Sequence, residues 1–228
     1  MKRVALPSPS QINLFLEGLG RRDDGYHEIR SIAVLTELCD TITLERRPSG
    51  IALEVQEPQV PSGPENLCHC AAELLLRHCG VDAGVAIRIE KRIPIAGGMG
   101  GGSSNAAATL WGLNLLYNLG RSREELMRLG AGLGSDVPLF FCRGSAFLSG
   151  RGEQVEELAP LSPRWLVIAN PGIGISTASV YRRLRLPLTS EEAGIRMRGL
   201  FESGQEEAAL SRCFNRLEEV VLDAYPAV

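Results

Sequence analysis

Nowhere in the 228 residues does an uncharged apolar run approach the ~20 residues that a membrane-crossing helix needs. The opening residues, MKRVALPSPSQ, lack the continuous apolar centre of a signal peptide. These two absences predict a cytoplasmic protein with no membrane partner. No block of like charge exceeds a few residues, and the net charge is -3 with a pI near 5.7. That balance excludes the basic footprint of a nucleic-acid binder, so any anionic ligand has to be met by a local feature. Internal repeats and low-complexity tracts are also missing, which argues against solenoids and disordered tails.

What is present is an ordinary globular composition, 44% hydrophobic and 22% charged, long enough for one large or two small cores. Six cysteines without an export signal read as free thiols. Cys68, His69, Cys70, His78 and Cys79 look like metal-ligand material until residues 65–80 are read as a helix. Cys68, Ala72, Leu75 and Cys79 then form one apolar stripe, with the end cysteines roughly 16 Å apart at 1.5 Å of rise per residue. One ion cannot bridge them, and no residue is assigned as a direct metal ligand.

Residues 11–17 alternate as a strand, and Asp23, Asp24 and Gly25 supply turn chemistry after it. Residues 41–47 and 51–57 are short alternating runs joined through a Pro-Ser-Gly sequence, which reads as a hairpin. Residues 85–93 alternate again and feed a glycine-rich stretch, after which Ser104 to about Tyr117 reads as a buried helix. Ser122 and Glu125 form a capping-box pair ahead of a helix that should stop near Gly134. Residues 165–169, WLVIA, read as a buried strand. Helices are expected over residues 176–184, after residue 192, and from Gln205 to about Tyr225 with Leu210, Phe214, Leu217 and Val221 on one face. A boundary is placed at the proline-bearing residues 158–163, giving parts 1–157 and 158–228.

The stretch PIAGGMGGGSSNAA (residues 94–107) carries five glycines in six positions. Each glycine costs roughly 0.5–1 kcal/mol relative to alanine in ordered structure, so the cluster needs a reason. A glycine loop entering a helix presents unpaired N–H groups and the positive end of the helix dipole, with no side chain to hold an anion away. That suits phosphate; a tight strand-to-helix corner is the alternative. Neither the Walker pattern nor G-x-G-x-x-G occurs, so both familiar nucleotide loops are excluded.

The same stretch resembles the ATP-phosphate loop of the galactokinase, homoserine kinase, mevalonate kinase and phosphomevalonate kinase superfamily. PSPSQINLFL (residues 7–16) with DGYH (residues 24–27), and LGSDVPLFF (residues 133–141) with residues 144–147 and 150–153, are similar to two further motifs of one branch. In that branch the acceptor alcohol carries a cytidine diphosphate group. The resemblance implies an α+β fold in two parts: a ribosomal-protein-S5-domain-2-like N-terminal part for ATP binding and catalysis, and a ferredoxin-like C-terminal part. The third glycine motif of the superfamily is not found between Arg182 and Val228, so the C-terminal part is expected to be truncated.

By resemblance, ATP with Mg²⁺ is the phosphoryl donor. Pro94, Ile95, Ala96, Gly97, Gly98, Met99, Gly100, Gly101, Gly102, Ser103, Ser104 and, at the edge of an adenosine pocket, Asn66 bind the nucleotide. Asp136 takes the position of the catalytic aspartate, although an aspartate there also suits a helix cap. Gln11 stands where the superfamily has a lysine. An amide can hydrogen-bond but cannot neutralise phosphate charge, so a rate lower by the order of 10²–10³ is expected unless Lys2, Lys91 or an arginine supplies the charge. Tyr26 and Tyr181 match rings that sandwich cytosine, His27 a histidine that fixes it, and Asn13 and Thr177 neighbouring polar contacts. The alternatives are a weak or inactive nucleotide-binding homologue and a superfamily kinase for another small alcohol. The oligomeric state is open.

Overall fold

The computed structural model describes residues 1–175, 177–184 and 192–228, the side chains at 177 and 178 excepted. Two long strands, β1 (Arg3–Arg21) and β2 (His27–Arg47), are joined by a turn in which Gly25 takes a φ of 85°. Next come β3 (Ile51–Val55), α1 (Leu67–His78), β4 (Gly84–Glu90), α2 (Gly101–Tyr117), α3 (Arg123–Ala131) and a 3-10 turn at Val137–Phe141. The remainder holds β5 (Ser145–Ser149), β6 (Gln154–Leu158), α4 (Thr177–Arg183), α5 (Glu192–Glu202), α6 (Glu206–Leu210), β7 (Phe214–Asn215) and α7 (Leu217–Ala224).

The chain forms two compact units. The first comprises Met1–Ser10, Thr36–Ile95 and Gly100–Phe141; the second comprises Gln11–Leu35, Ala96–Met99 and Cys142–Val228. In the first unit β4 pairs antiparallel with β2, Ile42 opposite Ile89 and Leu44 opposite Ile87, and parallel with β3. Alternation along β4 puts Val85, Ile87 and Ile89 inside and Arg88 and Glu90 outside. Helices α1 and α2 cover this face with Leu75, Leu110, Leu113 and Leu116, all fully buried, each contributing about 1.5–3 kcal/mol by burial. Helix α2 approaches the sheet so closely that a Cβ on Gly112 would fall 2.5 Å from Leu44 Cδ1.

In the second unit β2 pairs antiparallel with β5, Ile32 opposite Phe147, and β5 with β6. β7 adds to β1 in parallel, Phe15 opposite Phe214. Its core gathers Leu14, Phe15, Ile32, Val34, Phe147, Leu158, Met197 and Phe201.

Three expectations from local pattern are corrected. β2 and β3 do not form a hairpin, because β4 lies between them and satisfies both. Residues 165–169 are not a buried strand: none of the described strands pairs with them, and Trp165 and Val167 are about fully exposed at 102% and 99%. The single C-terminal helix is divided. Phe214 leaves the helical path to pair with β1 and set its ring 6.0 Å from that of Phe15, and Asn215 Oδ1 then accepts from Leu217 N at 3.0 Å as α7 begins.

Candidate active site

The glycine stretch divides its work among its residues. Gly98 and Gly100 both have φ 69°, a left-handed conformation that side-chain-bearing residues rarely adopt. A Cβ on Gly101 would lie 3.2 Å from Lys91 Nζ and 3.3 Å from Ile93 Cγ2, so what approaches this glycine is the chain's own lysine. Among the described residues only Leu67, at 3.8 Å, would touch a Cβ on Gly102.

The helix begins at Gly101, three residues before Ser104, and so takes the last two glycines into its first turn. Its N-cap is Gly100, with no side-chain cap and no acidic residue in the first turn. The neighbouring helices differ. Asn66 Oδ1 caps α1 by accepting from Cys68 N at 2.8 Å, and Ser122 Oγ caps α3 by accepting from Glu125 N at 3.2 Å. Among these three helices α2 alone keeps its first-turn N–H groups and dipole unanswered by a side chain, as an anion site requires.

Asp136 lies in the turn after α3, within the same unit as α2. A Cβ on Gly134 in that turn would be 3.9 Å from Ser103 Oγ, so the turn is set against the first turn of α2. The Asp136 carboxylate reaches solvent, yet surrounding protein strips enough water from it to push its pKa above the ordinary aspartate value. A 3.4 Å hydrogen bond donated by Ser135 Oγ opposes that rise. Desolvation thus makes this carboxylate a stronger proton acceptor than an ordinary aspartate.

Gln11 belongs to the second unit, with Ala96–Met99 of the loop. Its N–H donates to Met99 O at 3.0 Å and Nε2 to Gly98 O at 3.4 Å. Gln11 is 6% exposed, and its Oε1 has no hydrogen-bond partner among the described residues. Lys91, one of two lysines in the sequence, directs its ammonium to Asp40. Lys2 is exposed at the start of the chain.

The acceptor-side candidates of the second unit cluster in part. The His27 ring stacks on Tyr181 of α4 at 5.3 Å and 28°. Desolvation, then the charge of Arg21, lowers the His27 pKa. Tyr26 is 53% exposed and carries the Arg151 guanidinium 5.0 Å from its ring centre. Asn13 Oδ1 accepts from Ser31 Oγ at 2.9 Å. The Thr177 side chain lies outside the described residues. Asn66, besides capping α1, donates Nδ2 to Pro61 O at 2.7 Å, so both its amide atoms serve the chain.

Two functional features escaped the sequence reading. Arg151 was visible only as a letter in the GRGE turn, and the buried Asp40, Asn105 and Ser8 signalled themselves only as polar residues in apolar company. For metal, among the described residues no three His, Cys, Asp or Glu side chains gather. The first turn of α2 offers the Ser103 hydroxyl, Ser104 Oγ being buried and accepting from Ser8 Oγ, so this end suits a Mg²⁺ held largely by nucleotide phosphates. No helix among the described residues is long and apolar enough to cross a membrane.

Residues 66–144 match the family model described as GHMP kinases N terminal domain. The chain is 44% identical over 229 residues to the 4-diphosphocytidyl-2-C-methyl-D-erythritol kinase of Geobacillus thermodenitrificans, covering 99% of this chain and 79% of the relative. It is 41% identical over 227 residues to that of Shouchella clausii, covering 99% and 76%. A crystal structure of 4-(cytidine 5'-diphospho)-2C-methyl-D-erythritol kinase superposes with a TM-score of 0.71 at 32% identity, over 98% of this chain and 79% of that one. The homoserine kinase of Cytophaga hutchinsonii, at 15% identity and a TM-score of 0.67 over 92% and 70%, shares the fold. The mixed α and β architecture is that of the GHMP kinases, and by the identity and extent of these matches the chain belongs to the 4-diphosphocytidyl-2-C-methyl-D-erythritol kinase family.

Proposed function

We propose that the chain transfers the terminal phosphoryl group of ATP to the 2-hydroxyl of 4-diphosphocytidyl-2-C-methyl-D-erythritol, a cytoplasmic step of isoprenoid precursor synthesis. The observation that carries this reading is the uncapped N-terminus of α2, with the Asp136 turn set against it. Residues Pro94 to Ser104 receive the phosphates through backbone N–H groups and the helix dipole. Mg²⁺ bound with the nucleotide supplies neutralisation of phosphate charge, the Ser103 hydroxyl being the side-chain oxygen that the first turn of α2 offers.

Asp136 accepts the proton of the 2-hydroxyl as that oxygen forms its bond to the terminal phosphorus and the bond to the leaving ADP breaks. Its raised pKa improves it as a base relative to an ordinary aspartate. Tyr26 and Tyr181 offer stacking faces for cytosine, while His27 and Asn13 offer hydrogen bonds to its edge and to the sugar. Residues 1–157 carry the nucleotide and catalytic groups on this reading, and 158–228 add Thr177 and Tyr181. Asn66 shapes the adenosine end through its cap.

Gln11 supports a second reading, a slow or inactive nucleotide-binding member, because its amide brings no charge to the loop. Release of ADP by the purified chain, with and without the diphosphocytidyl acceptor, separates the two. Acceptor-dependent release is expected; ATP binding without it would establish the second reading in place of the first.

A further inference from the structure

Both ends of the glycine loop converge on one carboxylate. Asp40, on β2 and fully buried, accepts through Oδ1 from Arg92 N at 2.7 Å and Ile93 N at 2.9 Å, where the chain leaves β4 and enters the loop. Through Oδ2 it accepts from the Lys91 ammonium and from Asn105 Nδ2 at 2.9 Å, in the first turns of α2 where the loop ends. The second hydrogen of Asn105 Nδ2 goes to Ser8 Oγ on β1 at 2.8 Å, and Ser8 Oγ donates to Ser104 Oγ at 2.7 Å. All of these residues belong to the first unit. Ser8, Ser104 and Asn105 are buried, and the Lys91 side chain is 8% exposed.

We infer that Asp40 is the positioning residue of the phosphate loop, a clasp that fixes where the loop departs and where α2 begins. The reasoning is geometric. Residues 94–100 between the two ends contain Gly98 and Gly100 in left-handed conformation, with no side chain at either to hold the turn. Gln11 meets the middle of the segment at Met99 O and Gly98 O, and where the segment departs and where α2 begins are fixed at its two ends. Strand β2 is a rigid base, paired with β4 from the next residue onward, Thr41 opposite Glu90. A single carboxylate with four donors references both ends to that base. The clasp also locates charge: it holds the Lys91 ammonium beside Gly101, where a Cβ would lie 3.2 Å from Nζ. Burial makes each of these bonds electrostatically stronger than it would be in water and makes any vacancy costly. Asp40 touches no substrate on this account and acts through the backbone it holds.

The inference rests on the reading of the loop as an ATP site, and the experiment keeps the two apart. ATP affinity and the KM values for ATP and for the diphosphocytidyl acceptor are measured for the wild type, Asn105→Ala and Leu75→Ala. Asn105→Ala frees the α2 end of the clasp; Leu75→Ala damages the core of the same unit without touching the clasp. The expected result is an ATP KM and Kd raised by about tenfold to a hundredfold in Asn105→Ala, with the acceptor KM unchanged, and no such ATP-selective shift in Leu75→Ala. Ser8→Ala, which removes only the hydroxyl behind Asn105, should show a smaller shift of the same kind and serves where Asn105→Ala fails to fold. Equal changes in ATP affinity for the clasp and core variants, or none, would overturn the inference while leaving the ATP site standing. A wild type that binds no ATP would remove both.

Discussion

In the first unit, Asp40 answers Lys91, Arg92, Ile93 and Asn105 with its two oxygens. In the second, Gln11 reaches Met99 and Gly98 of the same loop but keeps a buried Oε1 without a hydrogen-bond partner among the described residues. The contrast separates two demands on polar groups near a site. A group that shapes the backbone is satisfied within the chain, because an orphan there would destabilise every folded molecule. A group facing what binds is completed only when something binds. The open N-terminus of α2 is of the second kind, and the capped ends of α1 and α3 are of the first.

The largest effect is expected at Asp136. Asp136→Asn keeps the shape of the side chain but removes the base, so kcat should fall by about 10²–10⁴ while ATP affinity is retained, as steady-state kinetics and ATP titration would read. The pH dependence carries a sign that distinguishes catalysis from structure. Because the folded-state pKa of Asp136 is raised, the folded protein binds this proton more tightly than the unfolded chain. Its contribution to stability is therefore present below the ordinary aspartate pKa and lost as pH rises through the folded value, whereas kcat rises over the same window. Urea titrations at neutral pH should find Asp136→Asn at least as stable as the wild type, and the acidic limb of kcat/KM should lie above the ordinary value of about 3.9.

Breaking the clasp should do the reverse. Asp40→Asn leaves the Lys91 ammonium buried without its counter-charge, and the loss of folding stability by urea denaturation should be about 3–5 kcal/mol. Gln11→Lys sharpens the comparison from the other side: an ammonium placed against the loop should raise kcat, by up to the order of 10²–10³ if Gln11 is what limits the rate. A smaller effect belongs to the loop backbone. Gly100→Ala forces a side chain into a left-handed conformation and should cost about 1–2 kcal/mol, read as a shift in urea midpoint.

Much of the site was legible because its signals are local. Glycines between an alternating strand and an apolar helix, Ser122 three residues before Glu125, and the turn at Gly25 each declare themselves within a few positions. What escaped is non-local. β3 alternates as well as β2 does, and nothing within residues 41–56 reveals that β4 will come between them. The WLVIA run has a strand's composition, but burial needs a partner strand, and none of the described ones lies beside it. Phe214 fits a helical stripe until β1 offers Phe15 as a neighbour. Asp40 and Asn105 lie 65 positions apart, so their meaning appears only when β2 and α2 meet.

The central claim is that the α2 N-terminus and the Asp136 turn carry out one phosphoryl transfer. Incubating the full chain with ATP labelled on the terminal phosphate and with 4-diphosphocytidyl-2-C-methyl-D-erythritol tests it most directly. Label is expected on the acceptor in a one-to-one ratio with ADP formed, abolished by Asp136→Asn. Label recovered only as ATP or free phosphate would contradict it.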